Sequence, residues 1–155
     1  LPPAGSQLTA EFSIQSDRVE LVLSEPLQGL ALWADERFGA GADPNIAGPL
    51  ADADGNGVAN LMEYALGVSF GQPSSSVIMP APEMAGGRLG LRFQRVADPL
   101  LIYTVEAGDT PEGMAPIWSS TGPDNTAGWI TVLDLPEAAG HPARFMRLRV
   151  GLAGE

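Results

Sequence analysis

The first regular pattern in the chain is an alternation of apolar and polar residues near its N-terminus. It runs along "LTAEFSIQSDRVELVLS" (8–24), on both sides of the polar stretch "QSDR". Period-two alternation is typical of β-strands that bury one face, and a polar break between two such runs indicates a turn. The sequence therefore predicts a β-hairpin, or two strands in succession. The apolar positions of the first strand are Leu8, Ala10, Phe12 and Ile14.

After the hairpin the apolar spacing changes to that of helices. The stretch "EPLQGLALWADERFG" (25–39) carries apolar residues three and four positions apart, with Pro26 at its start and Gly39 at its end. Proline suits the first turn of a helix and glycine its C-terminal cap, so the pattern predicts one helix here. A second, short helix is predicted from about Ala59 through "NLMEYALG", where the final glycine ends it.

Beyond residue 87 the period-two pattern returns. Candidate strands recur at roughly even spacing, with Gly, Pro, Asp or Asn between them. Short strands that alternate with turn residues in this way predict an antiparallel sandwich or barrel. The five candidates are residues 88–95, 100–108, 116–121, 128–135 and 144–152.

Acidic residues are concentrated between the two predicted helices. The loop matches the pattern D-x-[DN]-x-[DN]-G-x5-E at every specified position, with Asp52, Asp54, Asn56, Gly57 and Glu63. Ca2+ takes about six to eight hard oxygen ligands, and a tightly turning loop presents alternate side chains to one centre. The glycine permits the sharp turn, because a Cβ at that position would obstruct the backbone. The loop is therefore predicted to bind Ca2+.

Two further positions complete the predicted ligand set. Val58 would give its backbone carbonyl, Asn60 would ligate directly or through a water, and Glu63 would close the site with both carboxylate oxygens. Three carboxylates and two amides predict a moderate affinity, suited to a calcium-rich exterior. The alternative is a solvated acidic turn followed by a capped helix. Mg2+ is less favoured, because it prefers a tighter octahedron with retained waters.

The same region resembles a known architecture. The stretches "ALWADERFGAG" (31–41) and "PLADADGNGVANLMEYALGVS" (49–69) are similar to the EF-hand-like, dockerin-like calcium-loop segment near the C-terminus of many large secreted bacterial surface proteins. The later "YTVEAGDTPEGMAPIW" (103–118) and "RFMRLRV" (144–150) resemble the β-sandwich that follows that segment in such proteins. The resemblance covers about residues 27–152. It implies a secreted, calcium-bearing, non-enzymatic module.

Together the patterns predict a mainly β fold of the α+β class, an antiparallel β-sandwich with a helix–calcium loop–helix insert. At 155 residues the chain suffices for one domain, or for a small domain with an appended element. Four segments are expected in order. They are an N-terminal arm with a strand or hairpin (1–25), the helix–calcium loop–helix (26–70), a linker (71–87) and the sandwich (88–155).

Composition narrows the function classes. The formal net charge is −11 and all eight basic residues are Arg, which argues against binding to nucleic acid or anionic lipid. The chain has no Cys, so disulfides, thiolate catalysis and thiolate metal sites are excluded. No apolar run approaches about 18 residues, so no membrane span is predicted. The opening "LPPAGSQ", without Met, fits either a processed secreted protein or a piece of a longer one.

No catalytic constellation is predicted. His141 lies between Gly and Pro in "AAGHPAR", without a neighbouring carboxylate or nucleophile. The densest carboxylate cluster belongs to the calcium loop, and Asp35 and Glu36 are expected on a solvated helix face, which leaves no pair for glycoside hydrolysis. We therefore expect no enzyme.

The aromatic residues separate two classes of non-enzymatic function. Carbohydrate-binding modules often expose several aromatic rings that stack on sugars, and this chain has Trp33, Trp118 and Trp129 with Tyr64 and Tyr103. Each falls within a predicted helix or strand, so core packing is the expectation for all five. An exposed sugar-binding face is the alternative.

The leading functional hypothesis is a calcium-stabilised structural protein, secreted or at the cell surface. It would be a subunit of a surface fibre or filament, or the terminal module of a cell-surface protein. Its partners would be copies of itself or neighbouring surface-protein domains. The strand of Leu8, Ala10, Phe12 and Ile14 would pair with a neighbour's sheet edge by β-strand addition, or the hairpin would complete its own sheet. The main alternative is a carbohydrate-binding module of a larger secreted enzyme, with a glycan as partner. A calcium-signalling switch is less favoured, because sensors usually pair two loops.

Overall fold

The computed structural model describes residues 9–14, 19–24, 29–68, 79–135 and 143–154. Within these ranges the chain forms eight strands and three short helices, with one 3-10 turn at Gly122–Asp124. In chain order the elements are β1 (Thr9–Ile14), β2 (Val19–Ser24), α1 (Gly29–Phe38), α2 (Pro44–Ala47), α3 (Asn60–Ala65), β3 (Ala81–Ala85), β4 (Arg88–Arg95), β5 (Leu101–Gly108), β6 (Ala115–Thr121), β7 (Gly128–Leu133) and β8 (Phe145–Leu152).

The strands form antiparallel sheets throughout. Two sheets have three strands each, in the orders β3-β4-β7 and β6-β5-β8, and β1 pairs with β2 in a sheet of its own. The prediction of a mainly β fold with few helices is confirmed. The five strands predicted beyond residue 87 are confirmed as β4 to β8, each to within two residues at both ends.

One hydrophobic core joins the two three-stranded sheets to α3. Phe93 of β4 stacks on Tyr103 of β5, with ring centroids 6.3 Å apart, and meets Trp118 of β6 edge-on at 6.1 Å. Leu61 and Ala65 of α3 belong to the same buried cluster. Because β4 and β5 lie in different sheets, these contacts are what hold the two sheets and the helix together.

The segment predicted as a linker, 71–87, contains a strand. Residues 81–85 form β3, which pairs with β4 through a two-residue turn. That turn is made of Gly86 and Gly87, with φ values of 57° and 76°. A two-residue hairpin turn with positive φ at both positions matches the twist of the flanking strands, and glycine adopts it without steric cost. Residues 81–85 of the predicted linker thus belong to a strand of the β4 sheet, and 71–78 lie outside the described ranges.

The loop predicted between the two helices contains the extra helix α2. Asp43 accepts a hydrogen bond from the backbone N–H of Asn45 at 2.8 Å, and Pro44 follows it at the first helical position. An Asp cap followed by Pro is a local start signal for a helix, and one turn forms here for that reason. Residues 25–28, the predicted start of the first helix, lie outside the described ranges.

At the N-terminus β1 and β2 form an antiparallel hairpin-like pair, with Thr9 opposite Ser24 and Ile14 opposite Val19. The predicted strand positions Ala10, Phe12 and Ile14 lie in β1, and Leu8 lies outside the described residues. Neither strand pairs with any other described strand. The helices of the described ranges are too short and too polar for any of them to cross a membrane.

Candidate metal centre

The acidic loop between α2 and α3 is folded around the carboxylate of Asp52. Its two oxygens accept the backbone N–H groups of Asn56 at 3.1 Å and of Gly57 at 2.8 Å. The turn uses two glycines in the left-handed region, Gly55 at φ 72° and Gly57 at φ 87°. A side chain at either position would be strained, so the predicted need for glycine at the sixth position agrees with the backbone.

Asn56 links the loop to α3. Its amide nitrogen donates to Oε1 of Glu63 at 3.1 Å and to Oδ2 of Asp54 at 3.4 Å, and its amide oxygen accepts the N–H of Val58 at 2.7 Å. One amide group thus lies between two of the predicted ligand carboxylates. Together with Asp52, the residues expected at the first, third, fifth and twelfth loop positions belong to one hydrogen-bonded unit.

Glu63 is the buried member of this unit. It lies on α3 with 2% of its surface exposed, and Oε2 of its carboxylate lies 3.3 Å from the guanidinium of Arg37 on α1. A buried carboxylate needs a nearby positive charge or hydrogen-bond donors, because its desolvation is costly. Arg37 of α1 supplies the positive charge, and Asn56 of the loop supplies a hydrogen-bond donor. The pairing with Arg37 was not predicted from the sequence.

Arg37 is itself held by aromatic rings. Its guanidinium lies 5.1 Å from the ring centroid of Trp33 and 5.8 Å from that of Phe38. The Trp33 indole is buried and donates to the carbonyl of Val68 at 2.7 Å, just beyond α3. These contacts tie α1 to α3 beside the loop, and the expectation that Trp33 packs between elements is confirmed.

Asn60 has a structural role that the sequence did not reveal. Its side chain is 1% exposed, and the amide nitrogen donates to the carbonyls of Ile46 at 2.7 Å and Gly48 at 2.9 Å. These two carbonyls lie at the C-terminal end of α2. Asn60 therefore joins the start of α3 to the end of α2. These contacts do not test whether Asn60 also ligates a metal ion, which stays a prediction.

The donor set suits a hard cation, whereas the carboxylates themselves do not converge on one point. Asp52, Asp54 and Glu63 offer carboxylate oxygens, Asn56 an amide oxygen and Val58 a backbone carbonyl, which are the ligand types that Ca2+ takes. Across the described ranges, no three His, Cys, Asp or Glu side chains are grouped closely enough to hold a metal. In this arrangement hydrogen bonds through Asn56 hold the carboxylates together.

Two tyrosines fasten α3 to the strands behind the loop. The Tyr64 hydroxyl donates to Asp98 at 2.7 Å, and burial together with this bond raises the pKa of Tyr64 well above its usual range. The Tyr103 hydroxyl donates to the carbonyl of Ala65 at 2.9 Å and accepts the N–H of Val96 at 3.1 Å. Burial raises the pKa of Tyr103 to about 12. Both hydroxyls therefore stay protonated at any physiological pH.

Trp129 does not pack in the core, contrary to expectation. It is 48% exposed on the outer side of β7, and the guanidinium of Arg92 on β4 lies 4.9 Å from its ring centroid. Val132, three residues further along the same strand, lies in the buried core instead. Trp118, by contrast, packs against the core as predicted.

His141 lies outside the described ranges, and Glu36 is exposed on α1. Asp35 lies beside it, half-buried. Comparisons of this chain with known protein families, with curated proteins and with solved structures find no match.

Proposed function

We propose that this chain is a non-enzymatic structural module, secreted or displayed at the cell surface, that Ca2+ stabilises at the loop of residues 52–63. The module would self-associate, as a subunit of a fibre or filament, or dock on neighbouring domains of a surface protein. Its two three-stranded sheets would form an antiparallel β-sandwich, and the two helices around the loop would form the calcium-binding insert.

The hydrogen bond from Asn56 to Glu63 carries the calcium part of this proposal. Asn56 belongs to the loop and Glu63 to a helix whose neighbouring residues, Leu61 and Ala65, lie in the shared core. A cation that replaced the amide donor between Asp54 and Glu63 would therefore connect the loop to the core directly. Such an ion would act as a fastener between the loop and α3.

Thermal unfolding in Ca2+ and in chelator tests the proposal. A ligand that binds only the folded state adds about 2.7 kcal/mol at a hundredfold excess over its Kd. We expect the melting temperature of the wild-type chain to rise with Ca2+, and the double variant Asp52→Ala/Glu63→Ala to lose that rise. The matched control is Asp35→Ala/Glu36→Ala, which removes the same charge from α1 and should keep the response. If Ca2+ changes no melting temperature, the loop is only an acidic turn.

Assembly is tested separately by electron microscopy of the purified chain, with and without chelator. Fibres or regular particles are expected in Ca2+. Their absence under all conditions, together with retention on an insoluble glycan, would replace the structural role by a binding role.

A glycan-binding module is the second candidate, and the exposure of Trp129 favours it. A half-exposed indole with a guanidinium on it offers an apolar platform beside hydrogen-bond donors, which suits a sugar ring. Retention on insoluble polysaccharide should fall for Trp129→Ala and not for Phe145→Ala, which removes another exposed ring from a different sheet. Equal retention of both variants would remove this candidate.

A further inference from the structure

Strand β8 leaves one side of its backbone open. In the sheet order β6-β5-β8 it pairs only with β5 among the described strands. It is eight residues long and contains no proline. A terminal strand of this kind presents a row of backbone N–H and C=O groups that another strand can use.

The two faces of β8 differ sharply. Met146, Leu148, Val150 and Leu152 pack against the hydrophobic core. The other face carries arginines, whose side chains are 48% exposed at position 147 and 67% exposed at position 149.

Both arginines bind the same carboxylate. Glu106 of β5 accepts hydrogen bonds from Arg147 and, at 3.2 Å, from Arg149. The hydrogen bond from Arg147, and then the one from Arg149, holds the pKa of Glu106 below its usual value. Two guanidinium groups thus share one carboxylate, which leaves a positive edge on a chain whose net charge is −11.

The β1–β2 pair also has one apolar face, and its other face carries acidic positions where β8 carries arginines. Its register places Ala10 opposite Leu23, Phe12 opposite Leu21 and Ile14 opposite Val19, so one face of the pair consists of six apolar positions. The opposite face consists of the other register pairs and includes two acidic positions. These pairs are Thr9 with Ser24, Glu11 with Val22 and Ser13 with Glu20.

A two-stranded sheet alone is marginally stable in water, and an apolar face of this size needs a cover. Neither β1 nor β2 joins another described sheet. The pair is therefore a unit that gains stability by extending a sheet whose faces match its own.

We propose that the β1–β2 pair of one copy of the chain adds edge-on to β8 of a second copy. The sheet would then continue from β6-β5-β8 into the two strands of the neighbour. Its apolar positions would prolong the row of Met146, Leu148 and Val150, and Glu11 and Glu20 would lie on the face of Arg147 and Arg149. This inference rests on the proposed self-association and names its two surfaces.

The strand period makes the match specific. A slip of one residue would move every side chain of the added strands to the other face. The acidic positions would then meet the apolar row, and the apolar positions would meet the arginines. Since donor and acceptor are different surfaces of one chain, the contact is heterologous and can repeat along a filament.

Charge reversal in the full chain tests the contact by sedimentation velocity over a concentration series in Ca2+. The variant Glu11→Arg/Glu20→Arg places like charges against β8 and leaves Glu106 untouched. We expect it to weaken association about tenfold, because the acidic residue on the strand beside β8 becomes a like charge and a favourable cross-strand pair becomes unfavourable. The variant Arg147→Glu/Arg149→Glu should do the same, and an equimolar mixture of the two variants should associate again. The control Arg92→Glu, which reverses one charge on β4, should associate like the wild type.

Engineered cysteines distinguish a neighbour's β8 from the chain's own, since the natural sequence has no Cys. Chains carrying Arg149→Cys, mixed and oxidised with chains carrying either Glu11→Cys or Glu20→Cys, should form a disulfide-linked heterodimer on non-reducing gels with the variant whose strand lies beside β8. The double variant that combines this pair in one chain should form a ladder of oligomers. A control that pairs Glu20→Cys with Arg92→Cys should give neither product.

Each result decides one of the two proposals. If the wild-type chain assembles and the charge reversals leave its assembly unchanged, the β8 contact is wrong and self-association stands. If the double-cysteine chain forms only an internally linked monomer, the hairpin covers its own β8 and the proposed contact between copies is wrong. If the wild-type chain stays monomeric at all concentrations, with and without Ca2+, self-association fails and this contact fails with it.

Discussion

The guanidinium of Arg37 lies 3.3 Å from the buried carboxylate of Glu63, so α1 supplies a positive charge to the residue that is expected to close the calcium loop. The two groups come from different helices, and Arg37 is further fixed over the ring of Trp33 at 5.1 Å. A bound cation and this guanidinium would compete for one carboxylate. If the loop binds Ca2+ as proposed, Arg37 would stabilise the calcium-free arrangement and oppose Ca2+ binding.

Replacing Arg37 should strengthen calcium binding. In Arg37→Gln the repulsion between the guanidinium and a divalent ion is lost, and with water-like screening this is on the order of 1 kcal/mol, about fivefold in Kd. Isothermal titration calorimetry with CaCl2 measures the change. Arg92→Gln removes the same charge from the exposed face of β4 and should leave the Kd within error of the wild type. An unchanged or weaker affinity in Arg37→Gln would mean that Arg37 does not compete for Glu63.

Asn60 offers a test of two roles in one residue. Asn60→Ala removes the hydrogen bonds to the carbonyls of Ile46 and Gly48, each of which contributes about 0.5–1.5 kcal/mol. If the role is only structural, the loss of unfolding free energy is the same with Ca2+ and with chelator. If the side chain also ligates the ion, the loss is larger in Ca2+. Asn45→Ala, which alters an exposed amide on α2, is the matched control and should cost less.

The stability of the core should decrease in alkali because of Tyr103. An unfolded tyrosine ionises near a pKa of about 10, whereas burial raises the pKa of Tyr103 to about 12. The folded-state pKa is the higher one, so this contribution to stability is complete below pH 10 and is lost as the pH rises towards 12. Tyr64, whose pKa is raised by burial and by Asp98, acts in the same direction.

Urea unfolding between about pH 9 and 11.5 measures this dependence. Tyr103→Phe should have a shallower decrease in alkali than the wild type. At neutral pH it should lose about 1–3 kcal/mol, because the N–H of Val96 and the carbonyl of Ala65 lose their shared partner. If the unfolding free energy decreases equally steeply with pH in both proteins, ionisation of Tyr103 does not cause the loss of stability in alkali.

Most of the fold follows from local alternation, and the exceptions have a physical reason. Strands such as β4 and β5 bury one face in the shared core, so Leu91 and Phe93 recur with the strand period and make the strands visible in the sequence. Strand β3 has four exposed residues and one half-buried residue, and Pro82 within it. Nothing in its own composition indicates a strand, because its pairing with β4 is what holds it.

The candidate site likewise contains residues that the sequence predicts and residues that it does not. Asp52, Asp54, Asn56 and Glu63 belong to one short stretch, so their spacing alone places them together. Arg37 reaches Glu63 only because Trp33 and Phe38 fix α1 beside α3, which no local pattern reports. The exposure of Trp129 could have been predicted from the sequence, since Trp129 alternates with Ile130 and Val132, whose side chains pack towards the core.

The ion pair of Arg144 and Asp134 allows a prediction about how the end of β7 and the start of β8 are joined. Asp134 follows β7 with 1% of its side chain exposed, and its two oxygens accept hydrogen bonds from Nε of Arg144 at 2.6 Å and Nη2 at 2.7 Å. A third donor of the same guanidinium reaches Asp109 at 2.9 Å, at the end of β5. Because the first carboxylate is buried and the second is 59% exposed, the two contacts should differ in their contribution to stability.

Arg144→Met should cost about 3–5 kcal/mol of unfolding free energy, because a buried carboxylate loses its charged partner. Asp109→Asn should cost no more than about 1 kcal/mol, since exposed ion pairs are weak. In the double variant Arg144→Met/Asp134→Asn no buried charge is left, so part of the loss should be recovered. Urea unfolding of the three variants gives the comparison. If Arg144→Met and Asp109→Asn are equally mild, the buried pair does not fasten β7 to β8, and the connection between the sheets depends on the core around Phe93 alone.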